Sequence, residues 1–572
     1  MSWQDNYQVW ANYTALDPTL KQQLTQIASD DQVLEDAFYA PLEFGTAGMR
    51  GLMGPGINRM NLYTVRQAAA GLAQFMDTLA PNLKKRGVVI SFDSRYHSAK
   101  FAQESARVLG QHQIPVFLFD SLRPTPELSF AVRHLQTYAG IMITASHNPA
   151  PYNGFKIYGP DGGQMPPKES DLITDYVRQV ADLFAIEVAD LHALRQQKLL
   201  TMVGEDVDRA YLKEIKSVSL DRQLLADFAD MKFIYTPLHG TGKMLAGRVF
   251  EQAGLHNMQL VSEQAILDPE FATVEFPNPE FPETFNLAIH DGKQLQADVL
   301  IATDPDADRL GAAVRQPDGN YRLMTGNQIA SVLLEYILRT KQNQHCLPAN
   351  AAVVKSIVST ELATKIAEHY GVEMINVLTG FKFIAEQIQH FQDTGEHTFL
   401  FGFEESYGYL IQPFVRDKDA LQASLLLAEV AAFYKSQQMT LYDGLQAVYQ
   451  KYGYFKEKTI SKTFTGVDGS AKMQSLMQHF RTDDWQEING VSVVSVQDFL
   501  SGEQQNSDGT KTKLTLPQAD VLKFILADGT WIAIRPSGTE PKIKNYIGTS
   551  ATSEKAAWDQ VDAYTQVIDS WY

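Results

Sequence analysis

The hexapeptide Thr144-Ala145-Ser146-His147-Asn148-Pro149 follows directly on the apolar run Ala139-Gly-Ile-Met-Ile143. An apolar, β-prone run that stops at a hydroxyl, an imidazole, an amide and a proline reads as a buried strand. It delivers polar groups at its carboxyl end, where open α/β sheets hold their sites. Ser146 is accordingly the candidate nucleophile. The same residues also make a serviceable turn, whose hydroxyls bond only local backbone. A second unit of the same layout shifts the balance: Ala297-Asp-Val-Leu-Ile-Ala-Thr303 runs into Asp304-Pro-Asp306-Ala-Asp308-Arg309. Three carboxylates at alternate positions of one short loop repel one another unless a cation intervenes. A hard divalent ion suits such oxygens; a solvated acidic turn is the other reading.

Aspartates at the first, third and fifth positions also open an EF-hand loop, which requires Gly at the sixth and Glu at the twelfth. Arg309 and Arg315 stand at those positions. What remains is a compact oxygen-lined site of the kind magnesium shares with waters and phosphate oxygens. A third unit leads from His397-Thr-Phe-Leu-Phe401 into Gly402-Phe403-Glu404-Glu405-Ser406-Tyr407-Gly408. A carboxylate and a hydroxyl between glycines suit vicinal sugar hydroxyls, although a helix cap and turn explain the segment equally well. Near the far end, Trp531-Ile-Ala-Ile534 precedes Arg535-Pro536-Ser537-Gly538-Thr539-Glu540-Pro541-Lys542-Ile-Lys544. A guanidinium, two hydroxyls, a glycine and nearby lysines make a cradle for a phosphate dianion. The competing reading is an ordinary basic turn.

Elements that would position these loops are visible in the periodicity. Strand-like runs at Val88-Val-Ile-Ser-Phe92, Lys232-Phe-Ile-Tyr235 and Ala351-Ala-Val-Val354 alternate with helical patterns at Ile329 to Leu338 and from Leu421 through Tyr434. The class is α/β and multi-domain: three related α/β units plus a distinct C-terminal α+β domain around a central cleft. The expected divisions are 1–204 with the serine loop, 205–321 with the aspartate loop, 322–455 with the Glu404 loop and 456–572 with the Arg535 loop. The polar stretch 501–510 reads as an exposed loop.

In this order and with these residues, the four loops resemble those of the α-D-phosphohexomutase superfamily, and the chain is most similar to its phosphoglucomutase branch. The resemblance spans nearly the whole length, from Phe44-Gly-Thr-Ala-Gly-Met-Arg50-Gly onward. It implies interconversion of glucose 1-phosphate and glucose 6-phosphate, with Ser146 phosphorylated and acting as donor and acceptor. Glucose 1,6-bisphosphate would be the reorienting intermediate and activator. It further implies that Asp304, Asp306 and Asp308 bind magnesium with an oxygen of that phosphoserine, and that Glu404 and Ser406 grip sugar hydroxyls. Arg535, Ser537, Gly538 and Thr539 would hold the phosphate that is not reacting. Lys156 matches a lysine proposed as general acid or base, a role it would fill if nearby cations lower its pKa. Arg50, His147 and Arg309 match further active-centre positions. Thr379-Gly380-Phe381-Lys382 stands where mannose-directed relatives have Gly-His-Ser, which favours glucose phosphate and makes Thr379, Gly380 and Lys382 expected substrate contacts.

The residue types agree with such a relay. A rigid hexose cannot pass a phosphoryl group between two of its own positions, so an enzyme nucleophile divides the step. Phosphoryl transfer then rests on positioning and charge neutralisation.

The 572 residues, 44% of them hydrophobic, can bury several cores. A formal net charge of −18 argues against nucleic acid or an anionic membrane as partner. An anionic small substrate is compatible with it if Arg50, Lys156, Arg309, Lys382, Arg535, Lys542 and Lys544 converge on one cleft. The single cysteine, Cys346, allows no internal disulfide, and the Met-Ser-Trp-Gln-Asp start lacks the features of a signal peptide. The expected location is cytoplasmic. Phosphomannomutase and phosphopentomutase activities stay open within the superfamily. Outside it, the alternatives are a metal-dependent sugar phosphatase and a non-catalytic sugar-phosphate-binding protein.

Overall fold

The protein is described by a computed structural model covering residues 2–45, 48–464, 469–537 and 542–572. It forms two compact units, Met1–Gly326 with Ala385–Gly395 and Ser406–Thr440, and Asn327–Ile384 with Glu396–Glu405 and Leu441–Tyr572.

The first unit carries two mixed sheets. In one, strands lie in the order Phe44–Gly45, Gly48–Leu52, Tyr152–Tyr158, Ala139–Ile143, Val88–Phe92, Val116–Phe119, Leu200–Val203. The last four are parallel to one another, and Tyr152–Tyr158 runs antiparallel beside Ala139–Ile143. Both Val88–Phe92 and Ala139–Ile143 are buried almost throughout, as continuous apolar strands in a sheet covered on both faces must be. From Val88–Phe92 the chain goes to one neighbour, Val116–Phe119, and returns on the other side as Ala139–Ile143. This reversal opens a crevice at the strands' carboxyl ends. The second sheet repeats the device. Phe233–Thr236 is central, with Met258–Leu260 parallel on one side and Val299–Thr303 parallel on the other. Leu310–Arg315 and Tyr321–Met324 extend it antiparallel.

The second unit contains the third version. Ala351–Ser356 pairs in parallel with Glu373–Val377 and with Thr398–Glu404. Here the strand runs three residues beyond the expected end at Phe401. Gly402 permits this, because Ile384 and Phe399 side chains cover the position a Cβ would need. Glu404 therefore closes a strand rather than sitting in a loop. The C-terminal part is an eight-stranded antiparallel sheet with the helices Gly469–Thr482 and Glu554–Asp569. Two expectations change there. Trp531–Pro536 keeps Arg535 and Pro536 in register with Lys544 and Ile543 of its neighbour. The polar stretch 501–510 contains a strand, Glu503–Asn506, whose side chains alternate between exposed and half-buried near the sheet edge, so polarity there reflects the edge rather than a loop.

Two close approaches position the site loops. The backbone of Pro305, in the aspartate loop, lies where a Cβ on Gly240 would stand, its Cα only 2.3 Å away. In the second unit, Lys523 of strand Leu522–Leu526 donates to the Ile357 carbonyl at 2.7 Å and lies 4.6 Å over the Trp531 ring. Its amine is also 3.8 Å from Glu361, and Lys355 is nearby. Burial, reinforced by Lys355, pushes the Lys523 pKa down to about 8 from 10.5.

Gly240→Ala should therefore lower stability by about 1–3 kcal/mol, read from urea unfolding, because the aspartate loop must shift. Between about pH 8 and 10.5 the unfolded chain keeps a proton on Lys523 that the folded chain has lost, so stability rises with pH across that window. The gain is on the order of 3 kcal/mol. Lys523→Met should flatten this rise in unfolding midpoints measured across the window.

Candidate active site

Ser146 sits just past strand Ala139–Ile143 and is buried, with φ +51, a left-handed conformation that costs a side-chain-bearing residue energy. Its N–H donates to Thr144 Oγ1 at 2.7 Å. Its hydroxyl donates to Asp304 Oδ2 at 2.7 Å and lies 3.2 Å from His147 Nδ1. The serine loop and the aspartate loop, expected separately from the sequence, thus meet through a direct hydrogen bond. Enclosure, with Arg309 and Arg50 close by, pushes the His147 imidazole well below its usual pKa, so the ring beside Ser146 is neutral. Arg50 donates to Asn148 Oδ1 at 2.8 Å, bracing the same loop from strand Gly48–Leu52.

Asp304, Asp306 and Asp308 are all buried, and one carboxylate oxygen from each lies within 4.8 Å of the others. At such distances each like-charged pair costs on the order of 3 kcal/mol even in a well-screened protein interior. Burial, followed by repulsion from the other aspartates, raises the pKa of Asp304 and Asp308. For Asp306 burial acts the same way, but the Lys156 ammonium, a hydrogen bond with Asp304 and the Lys418 charge together outweigh it and draw the pKa down. Asp304 Oδ1 accepts the N–H groups of Asp308 and Arg309 at 3.1 and 3.0 Å. Lys156 Nζ donates to Asp306 Oδ2 at 3.0 Å and stands 3.8 Å from Asp308. Its neighbours thus include two of the three carboxylates. Asp306 Oδ1 and Asp308 Oδ1 are buried and accept no hydrogen bond. Oxygen-only donors with unpartnered lone pairs fit a hard divalent cation such as magnesium.

Three groups here escaped sequence reasoning. Lys418 Nζ lies 2.8 Å from Asp308 Oδ2, Thr125 Oγ1 donates to Asp306 Oδ2 at 2.8 Å, and Glu280 pairs with Arg309 at 2.7 Å. The run Arg416-Asp417-Lys418-Asp419 is the signal for the first. Alternating charges before an apolar helix read as a cap, and Asp419 does cap Ala420–Ser436, yet all four residues are buried. Ser406 takes part through its carbonyl, which accepts from Arg309 at 2.9 Å.

In the second unit, Glu404 Oε1 accepts the N–H of Gly380 at 2.8 Å. Gly380 has φ +118, a conformation natural only to glycine. Thr379 shares that bend after strand Glu373–Val377, and Lys382 follows on helix Phe381–Thr394 with its ammonium 4.9 Å over the Phe383 ring. Glu405 accepts from Ser356 at 2.9 Å and Ser359 at 3.4 Å. Arg535 hydrogen-bonds Tyr546, whose hydroxyl also feels the charges of Glu405 and Glu404. This relates the end of the third sheet to strand Trp531–Pro536 inside one unit. The Ser537 N–H donates to the Lys542 carbonyl at 2.7 Å. Gly538 and Thr539 lie outside the described residues. Of the seven cations expected to converge, Arg50, Lys156 and Arg309 belong to the first unit and Lys382, Arg535, Lys542 and Lys544 to the second. Among the described residues no helix is long and apolar enough to cross a membrane.

Four family models match consecutive stretches of the chain. They are phosphoglucomutase/phosphomannomutase alpha/beta/alpha domain I over residues 41–183, domain II over 209–319, domain III over 325–452, and the C-terminal domain over 478–563. Proteins named phosphoglucomutase from Staphylococcus saprophyticus and Staphylococcus epidermidis are 40% identical to it over 539 and 536 residues, with 94% of each chain covered. The crystal structure of the Paramecium phosphoprotein parafusin, titled a phosphoglucomutase in its open form, shares the fold. Its TM-score is 0.66 at 18% identity, covering 93% of this chain and 95% of that one. A phosphoglucomutase/phosphomannomutase family protein of Burkholderia thailandensis does so with a TM-score of 0.63 at 17% identity, covering 92% and 97%. Three reversing sheets and an antiparallel fourth, a serine loop bonded to a buried acidic loop, and matches to all four domains agree: the chain belongs to the phosphoglucomutase/phosphomannomutase family.

Proposed function

We propose that this isomerase is a phosphoglucomutase, interconverting α-D-glucose 1-phosphate and glucose 6-phosphate through a phosphoserine at Ser146 and a reorienting glucose 1,6-bisphosphate. The observation that carries the reading is the 2.7 Å hydrogen bond between Ser146 Oγ and Asp304 inside a buried, charge-rich pocket. A turn serine has no use for three buried acids; a phosphoryl relay does. Asp304, Asp306 and Asp308 hold magnesium, which when bound neutralises charge on the phosphoryl group. Arg309 and Arg50 add positive charge beside the nucleophile. Lys156, 3.0 Å from Asp306, is the candidate to hold or move the sugar hydroxyl's proton.

The sugar is recognised by Glu404, Ser406, Thr379, Gly380 and Lys382, and its resting phosphate by Arg535, Ser537, Gly538 and Thr539. Because the bisphosphate must turn end for end, the site meets both orientations with the same carboxylate and cradle. The division of labour follows four domains, 1–204, 205–321, 322–455 and 456–572, each carrying one loop. A free exposed thiol at Cys346 accords with a cytoplasmic setting.

Supplied with glucose 1-phosphate, magnesium and a trace of the bisphosphate, the protein should release glucose 6-phosphate and not free phosphate. Free phosphate as the main product would make it a phosphatase. Mannose, ribose and deoxyribose 1-phosphates under the same conditions should turn over more slowly. Ser146→Ala should lower kcat at least about a thousandfold; near-normal turnover would overturn the relay. Lys418→Met strips Asp308 of its nearest cation, and urea unfolding should show a loss of about 3 kcal/mol. Added magnesium should recover part of that loss, since it binds only the folded site.

A further inference from the structure

The backbone of Ser146 is held on both sides by one pair of residues that no catalytic role accounts for. Arg95 follows strand Val88–Phe92 across the sheet's reversal point. Its guanidinium donates to four carbonyls of the serine loop: Ser146 and Asn148 from Nη2, each at 2.5 Å, and Pro149 and Tyr152 from Nη1 at 2.8 and 3.1 Å. The remaining nitrogen, Nε, lies 3.2 Å from Asp93 Oδ2, with neither side chain exposed. Four N–H groups of the fork thus donate to main-chain carbonyls, while Nε is ion-paired with Asp93 without a hydrogen bond. Asp93 accepts from the Ser98 hydroxyl at 2.7 Å and the Arg95 N–H at 3.0 Å, and the neighbouring Thr144 hydroxyl accepts the Ser146 N–H. The N–H of Ser146 is therefore tied to Thr144, and its carbonyl to Arg95 beside Asp93.

A left-handed serine would relax toward ordinary backbone if either tie were cut, turning Oγ away from Asp304. Phe271, delivered from the second sheet's long connection, covers the guanidinium with its ring 4.8 Å away, so the clamp is also dry. Resting on the phosphoserine reading above, we propose that Arg95, with Asp93 and Thr144, is a positioning residue that sets the attack direction of the Ser146 hydroxyl. It touches neither sugar nor phosphate. Lysine cannot substitute for it, because three ammonium donors on a flexible stem cannot span four carbonyls in a plane.

The test is single-turnover transfer from glucose 1,6-bisphosphate to Ser146, followed by intact mass spectrometry, alongside steady-state kinetics. Arg95→Lys should slow transfer and kcat by about a hundredfold, while KM for glucose 1-phosphate stays within about threefold, because the groups that bind substrate are untouched. Thr144→Val should act in the same direction, and Thr144→Ser, which keeps the hydroxyl, should restore transfer to near wild type. If Arg95→Lys does not fold, as judged by thermal unfolding, the Thr144 pair decides alone. Wild-type transfer rates in folded Arg95→Lys, or equal rates for Thr144→Val and Thr144→Ser, would overturn the proposal. Failure of the wild-type protein to take phosphate at all would instead overturn the relay itself.

Discussion

Three aspartates in one buried loop set the constraint to which the first unit is built. Their mutual repulsion is tolerable only because each carboxylate is addressed by a different distant segment. Asp304 takes the Ser146 hydroxyl and two N–H groups of its own loop. Asp306 takes Lys156 and Thr125, and Asp308 takes Lys418. Asp306 Oδ1 and Asp308 Oδ1 nonetheless stay buried without a hydrogen bond. Unpartnered buried carboxylate oxygens distinguish a cation site from a satisfied structural network, in which each oxygen would be bonded.

Such wiring requires that strand ends from separate sheets come together, and repeated topology supplies it. In each of three sheets the chain leaves a central strand on one side and returns on the other, creating a crevice at the carboxyl ends. The first sheet sends Asp93, Arg95 and the Ser146 loop from the two strands flanking its crevice; the second sends the Gly240 turn and the aspartates. Helix Thr125–His134 bridges the two, its Thr125 N–H donating to the Asp306 carbonyl at 2.9 Å. A helix N-terminus aimed at an acidic loop adds a favourable dipole where charge is densest.

How far the sequence foretold this follows from the range of each interaction. Val88–Phe92 and Ala139–Ile143 were legible to the residue, because a doubly covered strand is almost wholly apolar, Ser91 being the one hydroxyl here, and stops where its loop begins. The three aspartates were legible because their spacing is local. Lys418, some 110 residues beyond Asp308, was not, since nothing near it in sequence distinguishes a buried lysine from a capping charge. Arg95 was hidden for a related reason: its partners are main-chain carbonyls, which carry no side-chain signature. Glu404 was misread as loop because Gly402 looks like a breaker, whereas tertiary packing of Ile384 and Phe399 over its missing side chain continues the strand.

The same limit applies to backbone strain. Ser146, Ala307 and Tyr407 lie in the functional loops of the first unit, and each is left-handed, with φ of +51, +52 and +65, although none is glycine. Glycine at Ala307 or Tyr407 would remove the local cost, yet it would enlarge the unfolded ensemble and free the loop to wander. The structure instead spends hydrogen bonds on each. Ala307 donates to the Asp304 carbonyl at 2.9 Å, the Tyr407 carbonyl accepts from Leu310 at 3.0 Å, and Ser146 has its double tether. Strained residues held by neighbours from other segments move only if several contacts break together, which gives a loop the rigidity of a strand. In the proposed relay, where the hydroxyl meets a phosphorus atom at bonding distance, that rigidity contributes more than the strain costs.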